Sequence, residues 1–176
     1  MLRNRVFFSA LLFSYALILA SNADADTHSP HKWWRVLAPG ETKWALAEVR
    51  WSAVGGSFLS VGTFFSSGDH AEWSSAVQAT DANDKTYWCE STKTESENRW
   101  LGVQFDHATS VVAVEIKQYP HDNYKSFYAE LQYSDDDGHT WTTSESGDLS
   151  GEQNDDGSPV WERIPPEEQY EQLDFF

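Results

Sequence analysis

The sequence predicts an all-β domain built as a β-sandwich, and three observations lead to this prediction. Aromatic and β-branched residues come in short runs that are separated by clusters of Gly, Ser, Asp and Asn. No long stretch shows the apolar spacing of an amphipathic helix. Eight such runs follow one another at short intervals, which favours two packed sheets over a helical or mixed fold.

The strands are justified in chain order by their composition and alternation. The clearest alternation lies in 111–118, where Val114 and Ile116 alternate with Glu115 and Lys117. A strand of this kind packs one face on the core and turns the other to solvent. We therefore expect Val114 and Ile116 to point inward. The eight predicted strands are 34–37, 45–51, 62–66, 100–105, 111–118, 127–133, 140–143 and 160–164.

The first 25 residues are predicted to be a secretory signal peptide. Arg3 and Arg5 precede a largely apolar run over 6–20, and an Ala-Asp-Ala pattern follows at 23–25. A membrane anchor is the weaker alternative, because the run is shorter than the roughly 20 residues that span a bilayer. Removal of residues 1–25 leaves 151 residues (176 minus 25), the size of one domain. We expect a lead-in at 26–33, a sandwich domain at 34–164 and an acidic tail at 165–176.

The negative charge of the chain argues against polyanionic partners, and its single cysteine excludes an internal disulfide. The formal net charge is −16, and it becomes −17 when two Arg and one Asp leave with the signal peptide. Such a chain repels phosphate backbones and anionic headgroups, so nucleic acid and anionic membranes are poor partners. Cys89 is the only cysteine, and an internal disulfide is therefore impossible.

An oxygen-rich stretch at 79–88, ATDANDKTYW, fits neither a helical nor a strand period. Asp81, Asp84 and Thr86 carry the side-chain oxygens that a hard cation such as calcium binds. A solvated acidic turn has a similar composition. The residues alone leave both interpretations open.

The order of these motifs resembles the discoidin or coagulation-factor type C domains, which have a galactose-binding-like jelly roll. The resemblance covers roughly residues 34–164. It is most specific at 79–88, where the family pattern falls on an Ala, Asp, Asn, Thr and Trp, and at 100–106, WLGVQFD. The matching positions of the first motif are Ala79, Asp81, Ala82, Asn83, Thr86 and Trp88.

A hairpin motif follows in 131–141, LQYSDDDGHTW. Ser134, Asp136, Gly138, Thr140 and Trp141 have the spacing of an Asp-box, S-x-D-x-G-x-T-W. The Asp can satisfy turn amides, and the Gly supplies a positive φ. One copy predicts a structural turn and not a propeller, because a propeller needs repeated blades.

The resemblance also implies a circular permutation and a calcium site. Residues 33–51 resemble the strand pair with which the family normally ends. In that arrangement the calcium ligands are Glu48, the carbonyl of Ala79, Asp81, a carbonyl or side chain at Asp84, and Thr86. Calcium takes six to eight oxygens, so backbone carbonyls complete the set. An unrelated first hairpin is the alternative to the permutation.

Three loops are candidates for a ligand site near one end of the sandwich. Loop 66–73 offers His70 and Trp73, loop 89–99 offers Glu90, Lys93 and Arg99, and loop 119–126 offers the remaining candidates. Sugar sites combine a stacking aromatic ring with a few polar groups that read hydroxyl orientation. Most tryptophans lie in or beside strands and are expected to pack there, whereas Trp73 lies among polar residues. The candidates of the third loop are Tyr119, His121, Asn123 and Tyr124.

These features predict a secreted, non-catalytic carbohydrate-binding module with a structural calcium ion and a glycan or glycoprotein partner. A protein-binding adhesion or extracellular-matrix module is the alternative, and a small glycoside hydrolase is a more distant one. No Ser-His-Asp order, His-Glu-x-x-His run or glycosidase-like carboxylate pair stands out. One fold of this type hosts several ligand classes, so the fold alone does not choose between them.

Overall fold

The chain forms a two-layer β-sandwich in the computed structural model, which describes residues 29–41, 43–59, 61–90 and 98–166. The first sheet has the strand order β4-β6-β1-β8-β9, and the second has β10-β7-β2-β3 with β5 added on β2. All pairings in these sheets are antiparallel. The strands are β1 His31–Ala38, β2 Trp44–Ser52, β3 Phe58–Leu59, β4 Thr63–Ser66, β5 Trp88–Glu90, β6 Arg99–Thr109, β7 Ala113–Gln118, β8 Tyr128–Ser134, β9 Thr142–Asp148 and β10 Trp161–Ile164.

The core lies between the inner faces of the two sheets. Four tryptophans with at most 1% exposure fill much of it, together with aliphatic side chains from both sheets. Large aromatic side chains bury the most apolar area per residue, so they compensate for the missing disulfide. The four tryptophans are Trp34, Trp44, Trp51 and Trp88.

The alternation predicted for 111–118 is confirmed. Val114 and Ile116 are fully buried, whereas Glu115 and Lys117 lie on the outer face of β7. Glu115 is nevertheless covered, because Arg50 and Arg163 both bind its carboxylate. The outer face of this sheet therefore carries ion pairs and is not simply solvated.

The first two strands occupy central places. β1 pairs with β6 on one side and β8 on the other, and β2 pairs with β7, β3 and β5. β1 begins at His31, inside the segment predicted as a lead-in, because the His31 ring stacks on Tyr133 and its Nδ1 lies 2.6 Å from Asp135 Oδ1. The predicted signal peptide and most of the predicted tail lie outside the described residues.

The predicted strand count of eight is wrong, since ten strands occur in the described part of the chain. β3 and β5 have two and three residues, too few for a visible alternation. β9 extends to Asp148, five residues beyond the predicted strand 140–143. The added residues, SESGD, have low strand propensity, but pairing with β8 satisfies their backbone groups and overrides that composition.

Short 3-10 helices shape the loops at one end of the sandwich. They are Glu72–Ser74, Ala76–Ala79 and Asp122–Tyr124. No helix in the described ranges has the length and apolar character that crossing a membrane requires.

Candidate functional site

Five of the predicted ligand residues converge on one cavity of about 240 Å³. They come from two loops that are more than 45 positions apart in the sequence. Cys89 of β5, Ala45 of β2 and Tyr87 complete the lining. We call this the aromatic cavity. Its predicted lining residues are His70, Trp73, Tyr119, His121 and Tyr124.

The rings of the cavity contact one another in a chain. Trp73 makes T-shaped contacts with both His70 and Tyr87, with centroid distances of 6.0 and 5.8 Å. Tyr87 and Tyr119 follow at 4.1 Å. Trp73 is 59% exposed and forms the rim.

Backbone hydrogen bonds hold these loops against the second sheet. The amide of His70 donates to Cys89 O at 2.8 Å, and the amide of Tyr119 donates to Ala45 O at 2.9 Å. The amide of Tyr124 donates to His121 O at 2.9 Å. The cavity is thus attached to strand ends, which reduces the entropy lost when a ligand binds.

The polar groups of the cavity are phenol hydroxyls, a thiol and two imidazoles. Burial, together with the neighbouring Tyr119, raises the pKa of Tyr87. Burial and the nearby Glu90 raise the pKa of Cys89 to about 11, so it stays a thiol at neutral pH. Phenol and imidazole groups can each take part in hydrogen bonds with sugar hydroxyls, which both donate and accept.

Three other predicted ligand residues do not line this cavity. Glu90 and Arg99 are about 1% exposed and form an ion pair at 3.6 Å, with Ser67 Oγ donating to the carboxylate. They support the wall behind the loops. Asn123 is exposed, and its backbone amide, 3.4 Å from His121 Nδ1, donates to that imidazole. Lys93 lies outside the described residues.

The structure also brings Glu48 to the 81–86 loop. The Asn83 amide donates to Glu48 Oε1 at 2.6 Å and to Asp81 Oδ1 at 3.0 Å. Thr86 Oγ1 lies 2.9 Å from both carboxylate oxygens of Asp81 and 2.7 Å from Asn83 O. Two carboxylates 33 positions apart in sequence thus share one amide hydrogen.

Burial raises the pKa of the Glu48 carboxyl above its ordinary value, and the negative charges of Asp81 and Asp84 add to this rise. The Asn83 amide opposes it. Ala82 adopts a φ of 58°, the left-handed conformation that Gly commonly takes in such a turn. The loop keeps its tight turn with an Ala at that position.

The two other predicted calcium ligands are Asp84 and Ala79. The Asp84 carboxylate binds Lys117 Nζ at 2.7 and 2.9 Å and so turns to a neighbouring strand. Ala79 is buried at the end of a 3-10 helix. Within the ranges that the structure describes, no group of three or more His, Cys, Asp or Glu side chains could hold a metal ion.

A larger groove of about 600 Å³ lies beside this loop, on the outer face of the second sheet. Arg50 lies between the Phe58 and Trp161 rings, 3.9 Å from each centroid. Its guanidinium binds Glu115, and Lys117 binds Asp84. Because these cations are already paired, the groove offers fewer free donors than its size suggests.

Sequence reasoning missed Tyr87 and Cys89 as members of the cavity. Tyr87 stands next to Trp88 in the oxygen-rich stretch, for which the sequence suggests only an ion site or a solvated acidic turn. Trp88 points into the core, so its neighbours Tyr87 and Cys89 point outward. That alternation was the available signal.

Comparison with known proteins matches the chain to a family model. A family model described as F5/8 type C domain matches residues 63–170, which is more than half of the 176 residues. The matched region begins with β4 and contains both loops of the aromatic cavity, while β1 and β2 precede it. No curated protein and no solved structure matches the chain.

Proposed function

The chain belongs to the F5/8 type C domain family, and on this premise we propose that it is a non-catalytic, lectin-like module that binds a carbohydrate in the aromatic cavity. Domains of this family are generally binding modules, and carbohydrates or proteins are frequent ligands. We choose carbohydrate as the ligand class and place it in the aromatic cavity.

One observation carries the choice of carbohydrate: loops that are remote in sequence present an exposed tryptophan beside imidazole and phenol groups. Trp73 supplies an apolar face on which the C–H side of a pyranose ring can stack. His70, His121 and the tyrosines supply hydrogen-bonding groups around it. A protein partner needs a wider contact area than one small cavity supplies.

The size of the cavity favours a short ligand. Its volume of about 240 Å³ is below the roughly 300–1,000 Å³ of sites for drug-sized ligands. One sugar residue at the end of a glycan suits this volume better than the middle of a long chain. The rest of the glycan then extends into solvent past Trp73.

A glycan array tests this proposal directly. Wild-type protein is expected to bind a subset of glycans, and the corresponding free sugar should compete. Trp73→Ala should weaken binding by about tenfold or more, because a well-packed aromatic anchor often contributes about 2 kcal/mol. Phe127→Ala is the matched control, since Phe127 is 65% exposed but does not line the cavity.

The alternatives give distinct outcomes in the same set of experiments. Binding to a protein partner that survives removal of its glycans would favour an adhesion module. Turnover of a chromogenic glycoside would favour a hydrolase. If Trp73→Ala binds every array glycan as the wild type does, the aromatic cavity is not the carbohydrate site.

We also propose that calcium binds at Glu48 and the 81–86 loop. The support is chemical: the carboxylates of Glu48 and Asp81 approach one amide, and the Thr86 hydroxyl lies beside them. Two close carboxylates repel each other, and a hard divalent cation relieves that repulsion through oxygen ligands. Calcium would tie β2 to the loop, and backbone carbonyls near Ala79 and Asp84 would complete its coordination.

This calcium proposal depends on the permuted arrangement, because Glu48 precedes the matched family region. The central place of β2 in the second sheet supports that arrangement. A calcium ion here acts on stability and loop geometry and takes no part in ligand chemistry.

Secretion is the last element of the proposal. Its support is the charged and apolar pattern of residues 1–25. The mature chain should begin near Ala25 or Asp26. N-terminal sequencing of exported protein tests this, and a mature product that begins at Met1 would contradict it.

A further inference from the structure

The outer face of the first sheet carries a row of side chains that the aromatic cavity does not use. The strand register places Phe65, Gly102, Arg35, Gln132 and Thr143 side by side across β4, β6, β1, β8 and β9. The inner neighbours of these residues fill the core. This row therefore lies on the opposite side of its sheet from the core.

Four aromatic rings cluster around the row. Phe65 lies 5.2 Å from Trp33, 5.5 Å from Trp100 and 6.4 Å from Trp141, measured between centroids. Trp100 and Trp141 are also 6.4 Å apart. All four side chains are only partly buried. We call these rings together with Arg35 the outer aromatic face.

Gly102 makes room for this cluster. A Cβ at Gly102 would lie 2.6 Å from Phe65 Cζ and 2.8 Å from Trp34 O. The Phe65 ring thus lies directly across the glycine, which lets rings from the edge strand and the central strands meet.

Arg35 is the cation of this face, and its guanidinium is incompletely paired. Its carbon Cζ lies 4.2 Å from the Trp141 ring centroid and 5.4 Å from that of Trp100. Its Nε donates to Gln132 Oε1 at 2.8 Å. Within the described part of the chain, the two terminal nitrogens of Arg35 have no hydrogen-bond or ion-pair partner.

Glu130 is the carboxylate whose charge acts on Arg35, and its side chain is also hydrogen-bonded to two neighbours. Glu130 Oε2 accepts hydrogen bonds from Gln132 Nε2 at 2.7 Å and Thr143 Oγ1 at 2.8 Å. Burial lowers the pKa of Arg35 to about 10, so the group remains protonated at neutral pH. Arg50 on the second sheet shows the contrast, because it is also stacked on aromatic rings but binds Glu115 through two nitrogens.

We propose that the outer aromatic face is a second carbohydrate site, and that it binds a hexuronate residue within an otherwise neutral saccharide. The partly exposed rings beside Arg35 provide surface for a pyranose, and the terminal nitrogens of Arg35 receive its carboxylate. A guanidinium recognises a carboxylate through two parallel hydrogen bonds, which a neutral sugar cannot offer. This site is independent of the aromatic cavity.

A single carboxylate fits better than a polyuronate. The chain has a formal net charge of −16, so a ligand with many negative charges is repelled as a whole. One carboxylate gains the contact with Arg35 at little cost in long-range repulsion. The site therefore takes one uronate per binding event.

Calorimetric titration with aldotetraouronic acid, a xylotriose that carries one methylglucuronic acid, tests the proposal. Its methyl ester is the matched ligand without charge. The acid should bind at least about tenfold more tightly than the ester, since hydrogen bonds to charged groups contribute more than neutral ones. The indole N–H signals of Trp100 and Trp141 should shift in NMR spectra during the titration.

Matched variants locate the binding. Arg35→Lys keeps the charge but loses the planar fork, and it should weaken acid binding by about tenfold. Arg50→Lys should leave it unchanged, because Arg50 is already bound to Glu115. Trp73→Ala should also leave it unchanged, which separates this site from the aromatic cavity.

Several results would overturn the proposal. They are no binding of the acid, equal binding of acid and ester, or equal binding by Arg35→Lys and wild type. Tighter binding of tetragalacturonate would refute the single-carboxylate argument, and tighter binding of sialyllactose would refute the choice of a hexuronate. If Arg35→Lys fails to fold, the comparison of acid and ester on the wild type still decides.

Discussion

We expect the effect of Glu48→Gln on thermal stability to depend on calcium. The variant should be no less stable than the wild type without calcium and less stable than the wild type with it. The Glu48 side chain is 5% exposed, and its Oε1 accepts the Asn83 amide near the Asp81 carboxylate. Gln keeps an acceptor oxygen at the same place but removes a buried negative charge. In a chelator the variant should therefore be at least as stable as the wild type.

Calcium should change this order. An ion that binds only the folded state at a hundredfold excess over its dissociation constant stabilises it by about 2.7 kcal/mol. For a domain of this size, about 1 kcal/mol corresponds to roughly 2–4 °C, so the wild-type Tm should rise by about 5–10 °C. Glu48→Gln should lose most of that rise because a charged ligand is gone.

Thermal unfolding followed by circular dichroism in calcium and in chelator measures both effects. Glu152→Gln is the matched control, because Glu152 is exposed and lies far along the sequence from the 81–86 loop. It should keep the full calcium-dependent rise. A wild-type Tm that calcium leaves unchanged, or an equal rise in Glu48→Gln, would refute the calcium site.

Three further predictions concern the sandwich itself. Ile116→Ala should lower the free energy of unfolding by roughly 2–5 kcal/mol in urea titrations, because Ile116 is fully buried; a loss within error would contradict its place in the core. Hydrogen bonds from the Thr140 hydroxyl and amide lower the pKa of Asp136 to about 2, so Asp136→Asn should destabilise above about pH 4 and progressively less as the pH falls toward 2; a pH-independent difference would refute this. Gly102→Ala should cost about 1–3 kcal/mol, and adding Phe65→Ala should recover part of the loss in a double-mutant cycle; strict additivity would show that the ring is not the obstacle.

The Asp-box is a part of the structure that local sequence determined. Asp136 accepts hydrogen bonds from the Thr140 amide and hydroxyl, Gly138 has a φ of 83°, and the Trp141 indole donates to Gly138 O. All of these contacts join residues at most four positions apart. Spacing alone was therefore enough to predict the turn, just as alternation was enough to orient Ile116.

Tertiary structure decided what the candidate site residues contact. Sequence reasoning selected His70, Trp73 and His121 as loop residues, but only the packing of loops on β2 and β5 brought them to one cavity and added Tyr87. Sequence reasoning also selected Glu90 and Arg99 as ligand residues. In the structure they lie behind the loops and form a buried ion pair.

The outer aromatic face depends even more on tertiary structure than the aromatic cavity does. Trp33, Phe65, Trp100 and Trp141 come from four separate parts of the chain, and nothing local to any of them indicates a shared surface. The register of β4, β6 and β1 puts Phe65 opposite Gly102, where the absence of a side chain lets its ring reach Trp33 and Trp100 diagonally. Alternation along one strand is a short-range property and is readable from sequence, whereas register between strands depends on every contact of two sheets and is settled only by folding.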